Sequence, residues 1–255
     1  MPEKNDELHE FEPLDILGRS GLDARSGIVQ EEWLRQLKGT KAVKAYLEMR
    51  DNDPIIGSIL YAIKALIRQT EWSIQPTGDT PAHIEAADFV EECRTDMAHS
   101  WHDLLSEVMS MLPFGWSYFE TVYKYRRGPD AEDGSERSKF NDGKIGWRKI
   151  ALRAQETLYK WEFDEDGSAT GMWQQAPPNY KLTFIPIEKA LLFRTETHKN
   201  NPEGRSMLRN AYRSWYFLKK IQELEAIGVE RDLAGLPVAH VPIEMLSPSA
   251  SASQQ

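Results

Sequence analysis

The side chains best suited to chemistry lie in three stretches of the sequence. Cys93, His99 and His102 bring a thiol and two imidazoles close together in the chain, and these are zinc-binding donor types. His99-x-x-His102 stands at a helix start without a fourth donor nearby, so surface or packing roles are the simpler reading. The second stretch, DEDG at Asp164 to Gly167, opens like a calcium loop. Setting Gly167 at the sixth position puts Trp173 at the twelfth, where a bidentate glutamate is required. The stretch is therefore read as a hairpin turn, and the acidic run DAEDGSE as a solvated loop. There is no G-x-x-x-x-G-K-[ST] phosphate loop, no G-x-S-x-G elbow and no H-E-x-x-H helix. A hydrolase built from scattered carboxylates is the one enzymatic alternative. The chain is read as no enzyme, with no cofactor and no metal.

The third stretch is NNPEGRSMLRNAYRSWYFLKKIQELEAIGVERDLAGLPV, Asn200 to Val238. From Ser206 to Leu233 it has no proline and a single glycine, Gly228. That predicts one helix of about 28 residues, roughly 40 Å long. At about 100° per residue, Arg205, Arg209, Arg213, Lys220 and Arg231 share a sector of roughly 80°, with Glu223 and Glu230 near the same stripe. Leu208, Ala211, Trp215, Leu218, Val229 and Leu233 form another face, and Phe217, Ile221, Leu224 and Ile227 a further strip. Two apolar strips require two neighbours. The helix is either central to a larger core or packed between copies of itself. The basic stripe either touches phosphate or pairs with Glu223, Glu225 and Glu230 of neighbouring helices.

The elements that position this run begin with helices. Residues 1–25 are polar and read as a flexible arm; Ser26 or Gly27 is expected to open a short helix through Leu37. A second helix reads Thr40 to Arg50. Asp53-Pro54 and Thr80-Pro81 each pair a capping side chain with a proline at the first helical position, predicting helices to about Gln69 and Met97. Ser100 caps a fifth, WHDLLSEVMSML, with Asp103 in its first turn. At Pro113 the pattern changes. FGWSYFETVYKY alternates and is rich in β-favouring residues. A polar loop follows, then the strands IGWRKIALRA, a hairpin across DEDG, and KLTFIP and ALLFRT joined by a turn at IPIEK. LPVAHVP is a further expected strand, and residues 244–255 a disordered low-complexity tail. Helices, then an antiparallel β section, then one long helix make an α+β chain.

The bulk composition agrees. Hydrophobic residues are 40% and charged residues 28%, as in globular proteins. One cysteine excludes an internal disulfide and points to a reducing compartment. The N-terminus lacks the apolar core of a signal peptide. The most apolar window, Ile55 to Ile67, carries Lys64 and is too short to cross a bilayer, so no membrane association is expected. A net charge of -9 argues against a protein that coats nucleic acid.

Several segments, in order, resemble the portal proteins of tailed bacteriophages, in particular the Mu-like branch. They are YLEMRDNDPIIGSILYAIKALIRQTEWSIQP, WHDLLSEVMSMLPFGWSYFETVY, LRAQETLYKWEFDEDGSATGMWQ, IPIEKALLFRTETHKNNPEGRSMLRNAYRSWYFLKK and ERDLAGLPV, together spanning about residues 25–243. The resemblance implies a wing at 26–199, a stem helix at 200–234 and the start of a clip strand at 235–243. It implies a virion protein that forms a ring, usually of twelve copies, at a capsid vertex, through which DNA is packaged and ejected. Its partners would be other copies of itself, capsid and scaffolding proteins, terminase, a head-tail adaptor and double-stranded DNA passing without sequence specificity. It would reside in host cytoplasm during assembly. The channel or subunit-contact candidates are Arg205, Arg209, Arg213, Trp215, Leu218, Lys220, Glu223 and Arg231. Family members are usually longer, so a chain lacking the second stem helix, channel loop and crown is expected, with its apolar strips partly exposed and prone to association. The alternatives are another virion adaptor, a portal fragment that does not assemble, and a DNA-binding module using Arg205, Arg209 and Arg213.

Overall fold

The computed structural model describes residues 19–235, 238 and 240–242. The expected arm lies largely outside these residues, and the expected tail entirely so. The chain divides into two compact units, a body ending at Asn210 and a second unit starting at Ala211.

In the body, helices α1 (Gly39–Asn52), α2 (Pro54–Arg68), α3 (Pro81–Thr95) and α4 (Trp101–Val108) follow the capping signals. The Asp53 carboxylate accepts from the amides of Ile55 at 2.9 Å and Ile56 at 3.0 Å, with Pro54 at the first helical position. Thr80 Oγ1 accepts from the His83 amide. Ser100 Oγ accepts from the Asp103 amide and donates to the Asp103 carboxylate at 2.7 Å. The fifth expected helix is cut in two: α4 stops at Val108, and a single turn, α5 (Met111–Phe114), follows. Pro113 has no amide proton, and its ring crowds the carbonyl four residues back, so the helix cannot run through.

The first expected helix is corrected. Ala24–Arg25 (β1) and Ile28–Val29 (β2) pair as a minimal hairpin, and the only helical piece is a 3-10 turn at Arg35–Leu37. Ser26 and Gly27 both take positive φ, 51° and 82°, which suits a two-residue turn and not a helix. The Gly27 carbonyl accepts from the Trp161 amide at 2.8 Å, and a Cβ at Gly27 would lie 2.2 Å from the Trp161 carbonyl oxygen.

The remaining strands form two three-stranded antiparallel sheets. One orders β4 (Asn141–Arg153), β3 (Trp116–Arg127) and β8 (Ala190–Arg194). The other orders β5 (Leu158–Phe163), β6 (Ala169–Gln175) and β7 (Leu182–Pro186). The predicted hairpin at Asp164 joins β5 to β6, closed by the Ser168 amide on the Asp164 carboxylate at 2.7 Å. Only the 3-10 turn Ile187–Lys189 separates β7 from β8, yet they belong to different sheets.

Strand β3 is the wall between two cores. Its alternation sends Phe119 one way and Trp116 and Tyr118 the other. Phe119 joins Leu60, Leu104, Val108, Met109, Leu112 and Ile150, with Ile56, Ile63 and Ile67 of α2 packed against them. Trp116 and Tyr118 join Val29, Trp161, Met172 and Ile185. Trp161 meets both edge-on, at centroid distances of 5.1 and 5.8 Å, and the Tyr118 hydroxyl donates to the Ile185 carbonyl at 2.9 Å. Each of these side chains contributes about 1.5–3 kcal/mol of burial.

The long helix is shorter than expected. A 3-10 turn at Met207–Arg209 precedes it, and α6 runs from Tyr212 to Ala234, roughly 35 Å. Ser206 causes the interruption. Its hydroxyl donates to the Pro113 carbonyl and accepts from the Leu208 amide, which ties that turn into the body. Gly235, at φ 72°, ends α6. Of the expected strand LPVAHVP, the described residues Val238, His240, Val241 and Pro242 show no regular structure, and the others lie outside the described residues. Among the described residues no helix is long and apolar enough to cross a membrane.

Candidate assembly surface and its connector

Arg194 closes β8, and residues 195–210 lead from it to α6. This connector is held inside the body. Thr195 Oγ1 donates to the carbonyls of Gly115 and Arg205. Gly204 (φ 55°) packs on Gly115 so closely that a Cβ at Gly204 would lie 2.3 Å from the Gly115 oxygen. The connector forms one side of a cavity of about 440 Å³ whose wall includes Glu32, Tyr46, His198, Glu203 and Arg209.

Two arginines of the expected stripe belong to this connector and not to α6. Arg209 makes a two-pronged ion pair with Glu32, 2.7 Å from Nη2 to Oε1. Burial raises the Glu32 carboxyl, but hydrogen bonds from Arg209 and the Leu34 amide, with the Arg209 charge, outweigh it and hold the carboxyl below its ordinary value. Arg205 donates to the Asn210 side chain at 2.9 Å. The five-member basic stripe is thus corrected to Arg213, Lys220 and Arg231, because the helix that would have aligned all five starts after Arg209.

Nothing in the chain's local pattern pointed to Glu203. Its carboxylate accepts from Trp161 Nε1 at 3.2 Å. Burial pushes the carboxyl up to about 7, with the Trp161 hydrogen bond opposing. A Pro-Glu-Gly turn ordinarily reads as solvated, and only the return of the chain onto Gly115 half-buries it. The fully buried charges were equally silent. Lys124 donates to the carbonyls of Asp96 at 2.7 Å and Arg137 at 2.8 Å, and lies 2.9 Å from the Asp96 carboxylate.

On α6, every residue from Lys220 to Leu233 is exposed, including Ile221 at 52%, Leu224 at 68% and Leu233 at 84%. Trp215 is covered in part by Lys219, whose ammonium stands 5.6 Å from the ring. Lys220 pairs with Glu223 of the same helix at 2.7 Å. Phe217, Ile221, Leu224 and Ile227 form one apolar strip, and Trp215, Leu218, Val229 and Leu233 the other. Contiguous apolar surface of this kind marks an interaction site. Cys93 and His99 Nε2 are buried within the body, and among the described residues no three His, Cys, Asp or Glu side chains converge on a metal position.

Fold and surface together describe a structural protein. The family model described as the portal protein of Mu bacteriophage matches residues 43–249, and the chain belongs to that family. No curated protein matches the sequence. A solved structure titled "Neck of empty GTA particle computed with C6 symmetry" is similar at 12% identity and a TM-score of 0.47, covering 78% of this chain and 48% of that one. The chain thus spans about half the length of the structure it matches.

Proposed function

We propose that this chain is a portal subunit that assembles with copies of itself into a ring at a capsid vertex, through which double-stranded DNA is packaged and ejected. The observation that carries the reading is α6, a long helix whose two apolar strips are exposed in the single chain. The family match across residues 43–249 supports it. In this reading the body serves as the wing and α6 as the stem helix. Trp215, Leu218, Lys220, Glu223, Arg213 and Arg231 serve as subunit contacts or channel residues, while Arg205 and Arg209 hold the connector. Dodecameric closure, capsid and scaffolding proteins, terminase and a head-tail adaptor as partners, and a place in the virion belong to the same proposal. A channel for sliding DNA works best with few fixed phosphate contacts, since each adds affinity, and a net charge of -9 suits that.

The test is the mass of the purified chain by light scattering after size exclusion, with negative-stain images of any large species. Rings support the reading. A monomer at every concentration tried counts against assembly by this chain.

A further inference from the structure

Strand β8 pairs with β3 along one edge, and among the described residues no strand lies along its other edge. The Thr195 amide donates to the Gly115 carbonyl at 3.0 Å, and opposed residues of an antiparallel ladder alternate between bonded and non-bonded pairs. Arg194 stands opposite Trp116 and Leu192 opposite Tyr118. Leu191 and Phe193 therefore bond to β3, while the amides and carbonyls of Leu192 and Arg194 turn to the free edge. Among the described residues nothing bonds to them there. The same residues line a cavity of about 350 Å³, with Ser168, Ile187 and Asn200. Arg194 is the one charged side chain in that lining among the described residues. Its guanidinium donates to the Asn200 side chain and the Asn201 carbonyl, each at 3.2 Å, and both acceptors are neutral. Burial draws its pKa down with no anion opposing. Glu165, Asp166 and Glu188 of the flanking turns lie outside the lining. A free strand edge beside an uncompensated cation is a site for an extended segment that carries a carboxylate.

The chain itself holds such a segment. Leu22 packs against the cluster of Trp116, Tyr118 and Trp161, and so do Ile187, Ala190 and Leu192 of the groove. The residues before Arg19 thus lead off from the core that the groove borders, and the five positions from Leu22 back to Leu17 span up to about 17 Å. Residues 1–18 carry six carboxylates against one lysine, Lys4, and one histidine, His9. The stretch EPLDIL, Glu12 to Leu17, combines two of those carboxylates with Leu14, Ile16 and Leu17. A strand antiparallel to β8 that sets a carboxylate beside Arg194 sets the residue two positions later beside Leu192. Glu12 with Leu14 and Asp15 with Leu17 both supply a carboxylate followed by an apolar side chain. Pro13 has no amide proton, which suits the outermost strand of a sheet. We infer that residues 12–17 lie along the free edge of β8 of their own chain as an added antiparallel strand, with the Glu12 or Asp15 carboxylate on Arg194. The added strand covers an edge otherwise open to pairing with other chains. It also ties the segment to the connector, since Arg194 holds Asn200 and Asn201. The contact is made within one chain and does not rest on the ring.

The test is hydrogen exchange resolved to single amides on the full chain. The Leu192 and Arg194 amides should exchange slowly, as those of Leu191 and Phe193 do. Glu12→Lys and Asp15→Lys together should speed exchange at Leu192 and Arg194 by roughly tenfold or more, since an attraction is replaced by a repulsion. Leu191 and Phe193, bonded to β3, should not change. Adding Arg194→Glu to that variant should restore the protection. Fast exchange at Leu192 and Arg194 in the unmodified chain overturns the inference, and so does protection that the Glu12→Lys, Asp15→Lys variant leaves unmoved. Protection that falls on dilution of the unmodified chain also overturns it, because another copy then covers the edge.

Discussion

Glu203 makes the body pH-sensitive in a direction opposite to that of ordinary carboxylates. In the unfolded chain its carboxyl ionises near 4.5; in the folded body burial holds the proton until about 7. Between those values the folded state binds the extra proton. The stability contributed by the neutral carboxyl is therefore complete below pH 4.5 and is lost as pH rises through 7. The gap corresponds to about 3.4 kcal/mol at most, and water in the adjoining cavity reduces it to about 1–3 kcal/mol. Glu203→Gln keeps an oxygen for Trp161 Nε1 and cannot ionise. Urea unfolding followed by tryptophan fluorescence, run on both proteins from about pH 5 to about pH 8.5, isolates the effect. Glu32 and Asp96, whose carboxyls are held below their ordinary values, titrate alike in both. The variant's stability relative to the parent should rise by about 1–2 kcal/mol between pH 5 and pH 8.5. Stability differences that stay constant across the range would refute the enclosed, protonated carboxyl.

Three further outcomes follow from the body. Asp53→Ala removes the cap shared by two amides of α2 and should cost about 1 kcal/mol by urea unfolding, with α2 still formed. Gly204→Ala sets a methyl 2.3 Å from the Gly115 oxygen at a positive φ, and should cost more than about 3 kcal/mol, read as a fall in Tm of the body. Lys124→Ala leaves Asp96 buried without its cation and should cost about 3–5 kcal/mol, whereas Lys144→Ala, an exposed partner of Glu85, should cost under about 1 kcal/mol in the same assay.

Local signals were legible wherever neighbours in sequence settle the structure. Asp53-Pro54, Thr80-Pro81 and Ser100 marked helix starts, and the caps sit where those residues stand. Alternation marked β3, and Asp164 to Gly167 marked the turn between β5 and β6. The α+β class and the family resemblance came from the same order of elements. The misreadings share one cause. Ser26-Gly27 is a turn because Trp161, far along the chain, bonds to it. The run from Ser206 breaks because the Ser206 hydroxyl finds the Pro113 carbonyl. Strands β7 and β8, nearly adjacent in sequence, part into different sheets because β6 and β3 claim them separately. The sequence by itself determined the caps, the alternation and the apolar strips of α6, since these depend on residues within a few positions of one another. Only the tertiary structure decided that Arg205 and Arg209 leave the basic stripe and that the Glu203 carboxyl is pushed up, because burial and long-range pairing set a charge's surroundings and spacing along the chain does not.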